Sequence, residues 1–192
     1  MMDFSVIDPI DEWGQTMNLI MLCGQGSSGK STFGAELIKK LNSTSKLIRM
    51  DNVDDTLPFS ERMTVYLSNI QAAYDNKVEN IIMDLAHDSI EFRNTVLSSL
   101  NFDNKYDSIN FFAVSLRPEF EKIVEWEIKR KGYDELPKNQ YFLMEKYYNR
   151  FQYPTEQEFK KFNFDTIVTL VVNNADFFES VNNVVQSIEN KT

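Results

Sequence analysis

Residues 24–31 read Gly24-Gln25-Gly26-Ser27-Ser28-Gly29-Lys30-Ser31, with Thr32 next, a full match to G-x-x-x-x-G-K-[ST]. Such a run suits one task, the cradling of phosphate. Its glycines let the loop wrap backbone N–H groups around phosphate oxygens where a Cβ would collide. A lysine in this place reaches the β- and γ-oxygens, and the hydroxyl after it ligates Mg²⁺. Gly24, Gly26, Ser27, Ser28, Gly29, Lys30, Ser31 and Thr32 are therefore the candidate nucleotide-binding residues, with ATP and Mg²⁺ as ligands. Lys30 is also a candidate catalytic group, and Ser31 a candidate metal ligand.

Two aspartates form a second constellation. Asp51 follows the apolar run Leu47-Ile48-Arg49-Met50, and Asp84 follows Ile81-Ile82-Met83. Ligands of a parallel sheet collect outside the carboxyl ends of its strands. Both carboxylates are thus expected beside the phosphate loop, on either side of it or next to each other.

These groups need a scaffold, and the pattern of the chain supplies one. Apolar runs of strand length at 18–23, 46–50, 78–83, 108–116 and 165–172 alternate with helical periodicity, the mark of βαβ units. An amphipathic helix carrying Phe33, Leu37, Ile38 and Leu41 is predicted to leave the phosphate loop. A second begins at Ser60, with Met63, Leu67, Ile70 and Tyr74 on one face. Asp88-Ser89-Ile90-Glu91 and Thr155-Glu156-Gln157-Glu158 resemble capping boxes. Pro118 and Pro137 suit first helical positions, and Gly132 suits a helix end. The expectation is an α/β fold: a parallel sheet of about five strands, flanking helices and a helical lid over 118–151. Residues 1–16 are set aside as an extension, and 17–192 form one domain.

The 192 residues are 42% hydrophobic with a net charge of −9. Ten basic and nine acidic residues fall between Arg117 and Lys161, so that segment nets +1 and the rest of the chain −10. Extensive binding along a phosphate backbone is disfavoured, and an anionic ligand is expected to meet its cations in the later segment. A single cysteine, Cys23, rules out an intramolecular disulfide and reads as a small buried hydrophobe. Neither a signal peptide nor a stretch long enough to span a bilayer is read, so a cytoplasmic location without membrane contact is expected. No N/T-K-x-D guanine-reading motif is assigned, and small kinases become the leading class.

Over residues 18–172 the sequence resembles the kinase module of polynucleotide kinases and their P-loop relatives. Besides 24–32, the matching pieces are Asp51, the run Asp84-Leu85-Ala86-His87 followed by Arg93, then Arg130-Lys131-Gly132, Leu136-Pro137, Met144 and Pro154. The resemblance implies that Asp51 is the general base and that Asp84 orients the acceptor or holds metal-bound water. It implies that Arg130 sits in the lid and neutralises charge on the transferring phosphoryl group. Asp51, Asp84, His87 and Arg93 are then candidate substrate contacts, although His87 reads equally as a structural histidine bonded to backbone near the strand end, and Arg93 more readily as an ion-pair partner of Asp84 or Glu91. Two departures stand out: Asp54 occupies a place where the family carries a substrate-binding arginine, and Trp126 occupies the first lid position. Trp126 reads as partly buried core before a stacking platform, and Tyr147, Tyr148 and Phe151 read as core packing. The expected reaction is transfer from ATP to a hydroxyl, foremost a polynucleotide 5′-hydroxyl end. A small-molecule acceptor and a regulatory ATPase are the alternatives.

Overall fold

The computed structural model describes residues 15–41, 43–103, 105–172 and 177–191. Five strands, β1 (Thr16–Cys23), β2 (Ser45–Arg49), β3 (Asn80–Asp84), β4 (Ser108–Leu116) and β5 (Thr166–Val172), form one sheet in the order β2-β3-β1-β4-β5. Every pairing is parallel. The sheet predicted from sequence is thus borne out, with boundaries within two residues. β1 starts at Thr16, inside the stretch set aside as an extension; residues 1–14 lie outside the described residues.

Parallel strands are covered on both faces, and side chains of β1 alternate between two cores. Met17, Leu19, Met21 and Cys23 face α2 (Phe59–Asp75) and α3 (Ile90–Ser98), whose Tyr66, Ile70, Tyr74, Val96 and Leu97 close that side. Ile20 and Leu22 face α1 (Lys30–Lys40) and α7 (Phe177–Glu189) through Phe33, Leu37, Val181, Val184 and Ile188. Each such side chain contributes roughly 1.5–3 kcal/mol on burial. One polar row crosses this apolar sheet. Asn18 donates to Asn80 at 2.9 Å and accepts from Asn110 at 3.2 Å, all three being buried at matching register positions. A slip of one residue would strand these amides in hydrocarbon, so the row pins β3, β1 and β4 in register.

The helical lid consists of α4 (Phe120–Lys131) and α5 (Lys138–Arg150); a short α6 (Glu156–Phe159) precedes β5. Gly132, in the left-handed region, closes α4 as expected. The predicted starts need correction. α4 opens with Glu119 at its cap and α5 with Pro137 at its cap, because the residue before a helix keeps an extended ψ, here 145° and 136°. α2 starts at Phe59, after Pro58. At α3 the cap is Ser89 rather than Asp88, its hydroxyl accepting from the Phe92 N–H at 3.2 Å. Thr155 makes no side-chain cap: the Glu158 N–H donates to Thr155 O at 3.0 Å, and the Glu158 carboxylate pairs with Arg93 instead of returning to the cap. The aromatic residues of α5 are not core either: no residue of α5 is buried, and Tyr147 is 50% exposed.

Candidate active site

The phosphate loop leaves β1 at the carboxyl edge of the sheet. Gly24 anchors it there: its N–H donates to Ala86 O at 2.9 Å, and a Cβ at this position would lie 2.5 Å from Leu116 O. Gly29 caps α1 with φ +89°, a conformation that side-chain-bearing residues rarely adopt. The N-terminal amides of α1 therefore point at the loop's interior, where the helix dipole favours an anion.

Lys30 is buried, and its ammonium donates to Gln25 O at 2.6 Å and to Ser28 Oγ at 3.4 Å. Burial lowers its pKa, and Asp84 is the strongest of the charges that oppose the fall. A buried cation satisfied only by loop oxygens, with carboxylates nearby, is a group ready to exchange those oxygens for phosphate. The residues present fit a nucleotide's phosphates on this count.

Around this amine lies a cavity of about 530 Å³ lined by residues 26–32 together with Asp51, Asp84, Trp126 and Arg130. The two aspartates are adjacent to each other, the second of the two arrangements expected. Asp84 ends β3 level with Leu22 of β1, and Asp51 follows β2 in a single 3-10 turn, Met50–Asn52. Asp84 is buried and faces Arg49 at 3.4 Å, whereas Asp51 is exposed. Ser31 shares the cavity, so one hydroxyl and one carboxylate, hard oxygen donors of the kind Mg²⁺ takes, could hold the ion between them.

Two predicted substrate contacts lie elsewhere. Arg93 is fully buried and bonds both Glu158 carboxylate oxygens at 2.8 Å, as well as His87 O and Gln152 O. It pairs, as the sequence favours, but with Glu158 rather than Asp84 or Glu91. His87 is fully buried, with Nδ1 2.9 Å from Leu22 O. Burial holds its pKa down at about 4, so the ring is neutral. Both residues brace the β3–α3 connection from behind, and neither lines the cavity. Asp54 is exposed and turns the chain by accepting from the Thr56 N–H and hydroxyl, at 3.0 and 2.7 Å. Cys23 is buried, which pushes its thiol up to about 12.

Trp126 is half-buried and faces the cavity, so the core reading is corrected. It also walls a hollow of about 420 Å³ with Gly29, Thr32, Glu36, Phe177 and Phe178. The residue that sequence reasoning missed is Glu127. It is buried on α4, accepts from the Ser27 hydroxyl of the phosphate loop, from Arg130 through both Nε and Nη2, and from Gln140 Nε2 of α5 at 2.9 Å. Burial opposes its charge, but the bonds from Ser27 and Arg130 outweigh it and its pKa is lowered. Arg130 lines the cavity as predicted, yet its guanidinium is tied to this carboxylate.

The letters of the guanine-reading motif are in fact present, at Asn104-Lys105-Tyr106-Asp107. Their position settles the matter. β4 begins at Ser108, so Lys105, Tyr106 and Asp107 enter the sheet at the end opposite the phosphate loop, while Asn104 lies outside the described residues. Lys105 there pairs with Asp75, and the Tyr106 hydroxyl donates to Val78 O at 2.9 Å.

No curated protein sequence matches the chain. Among solved structures, it is similar to a fungal RNA kinase (TM-score 0.59, 16% identity, 91% of this chain and 84% of the other). It is also similar to a tunicamycin resistance protein from Deinococcus radiodurans (TM-score 0.56, 12% identity, 90% and 95%) and a sugar kinase from Janibacter (TM-score 0.58, 14% identity, 91% and 95%). At these identities the likeness shows a shared fold, that of P-loop kinases. Among the described residues no helix is long and apolar enough to cross a membrane. Residues 17–191 match the family described as "Chromatin associated protein KTI12", and the chain belongs to that family.

Proposed function

We propose that the chain is a phosphotransferase that moves the γ-phosphate of ATP to a hydroxyl. The observation that carries this reading is the buried Lys30 ammonium, held by loop oxygens in a cavity that also receives Asp51, Asp84 and Arg130. The loop amides and Lys30 bind the phosphates. Ser31 and Asp84 would hold magnesium, which supplies charge neutralisation across the β- and γ-oxygens when bound. Asp51 accepts the proton of the attacking hydroxyl as its oxygen bonds phosphorus and the bond to ADP breaks. Arg130 leaves Glu127 and stabilises charge on the group in flight. The hollow beside Trp126 and Phe178 suits the nucleotide's base, because it shares Gly29, Thr32 and Trp126 with the phosphate cavity.

The resemblance to polynucleotide kinases supports a 5′-hydroxyl polynucleotide end as the first reading of the acceptor. A small uncharged alcohol is the second reading, favoured by the shortage of free cations: Arg130 is bonded to Glu127, and Asp54 stands where an arginine is expected.

The test is transfer of labelled γ-phosphate to 5′-hydroxyl RNA, 5′-hydroxyl DNA and a nucleoside panel, with Lys30→Ala as the blank. Arg130→Ala should slow turnover by roughly 10³–10⁵ and Asp51→Asn by roughly 10²–10⁴. Hydrolysis of ATP with no labelled acceptor would instead mark a regulatory ATPase.

A further inference from the structure

A separate hollow of about 330 Å³ opens between the phosphate loop and the lid. It shares Gly26, Ser27, Ala86 and Arg130 with the phosphate cavity, so anything bound in it lies beside the nucleotide's phosphates. Its remaining walls are Gln25, Asp88, Gln140, Met144 and Tyr147, along with Glu127. The volume matches the lower end of small-ligand pockets.

The chemistry of these walls is selective. Met144 and Tyr147 offer an adaptable thioether and an aromatic face to a flat apolar body. Gln25 is only 8% exposed, and neither of its amide atoms has a hydrogen-bond partner among the described residues. A buried amide with a free donor and a free acceptor is costly unless something pairs with it. The Asp88 carboxylate likewise takes no hydrogen bond or ion pair among the described residues. Arg130 is the single cation among the lining residues, and it is bonded to Glu127. A phosphodiester chain would meet two carboxylates here and no free positive charge.

We propose, building on the phosphotransferase reading, that this hollow holds the body of the acceptor, an uncharged ring-bearing alcohol of nucleoside type. Asp88 is its specificity-determining residue, accepting a hydrogen bond from the ring or the sugar, while the amide of Gln25 reads a polar edge. The acceptor's hydroxyl extends past Gly26 and Ala86 towards Asp51 in the neighbouring cavity. A site that pairs its polar groups with a substrate's rejects analogues lacking them far more strongly than an apolar pocket can.

The test is calorimetric titration of the full chain saturated with magnesium and a non-hydrolysable ATP analogue. The probes are adenosine, cytidine, guanosine, uridine and a 5′-hydroxyl oligonucleotide. At least one nucleoside should bind, and its affinity should fall tenfold or more in Asp88→Asn and in Met144→Trp, which fills the hollow. The analogue's own affinity, measured on the same samples, reports whether each variant is folded. No nucleoside binding to the loaded protein, binding unmoved by both variants, or tighter binding of the oligonucleotide would each overturn the proposal while leaving the phosphotransferase reading standing. Failure of the analogue itself to bind would overturn that reading and the proposal with it.

Discussion

Lys30, Glu127 and His87 show how a residue's partners decide what it can do. The phosphate loop is legible in the chain because its chemistry is local: the glycines, the lysine and the helix they open are consecutive. Glu127 has no such signature. It is one of nine acidic residues in a mixed-charge stretch, and its partner Ser27 lies 100 positions away. Arg93 misleads for the same reason, since Glu158 lies 65 positions along the chain. His87 is the single histidine and stands three residues after Asp84, a candidate metal and substrate ligand, yet burial makes it structural. That role has a measurable sign. Its folded pKa is about 4 against 6.5 for the free side chain. The unfolded chain therefore binds the extra proton between those values, and stability falls as pH drops from 6.5 towards 4. The loss amounts to on the order of 3 kcal/mol. Urea unfolding across this range should show the slope, and His87→Asn, which tolerates the left-handed backbone at that position (φ +42°), should lose it. An unchanged slope in the variant would assign the effect to other groups.

Strands are the elements the sequence predicts best, because burial on both faces leaves near-continuous apolar runs that nothing else in this chain imitates. Helix starts fare worse. Thr155 and Glu158 have the spacing of a capping box, but a buried arginine competes for the glutamate and wins, since an unpaired Arg93 would cost more than an unmade cap. The lid shows the same competition. Glu127 of α4 ties the phosphate loop to α5, with Arg130 held on it. Glu127→Gln preserves the shape and removes the charge, so Arg130 is released towards the phosphates. ATP affinity should then rise by roughly threefold to tenfold, about the strength of one charge-assisted hydrogen bond at a partly exposed site. Equilibrium binding by titration reads this directly. Weaker binding in the variant would mean that Glu127 shapes the loop for nucleotide rather than withholding the arginine.

The whole molecule carries a net charge of −9, and its cations cluster in the segment that forms the lid. Composition alone makes that distribution visible. What it hides is that the cation lining the site is already committed, Arg130 to Glu127, and that Arg117, just before the lid, is stacked on Tyr148, 4.4 Å from the ring centroid. Long-range steering of a polyanion is therefore weak. Acceptor affinity should change little with salt, with a logarithmic slope below about 1, whereas binding that neutralises several backbone phosphates would give a slope of several units. Titrations of the preferred acceptor between low and high salt distinguish the two.

All these roles depend on nucleotide entering the loop at residues 24–32, and titration of ATP with magnesium into the wild-type chain and Lys30→Ala tests that claim most directly. Saturable binding that weakens at least roughly tenfold in the variant is predicted, since a buried ammonium–phosphate contact is lost. Equal affinity in the two proteins, or no binding in either, would contradict the account.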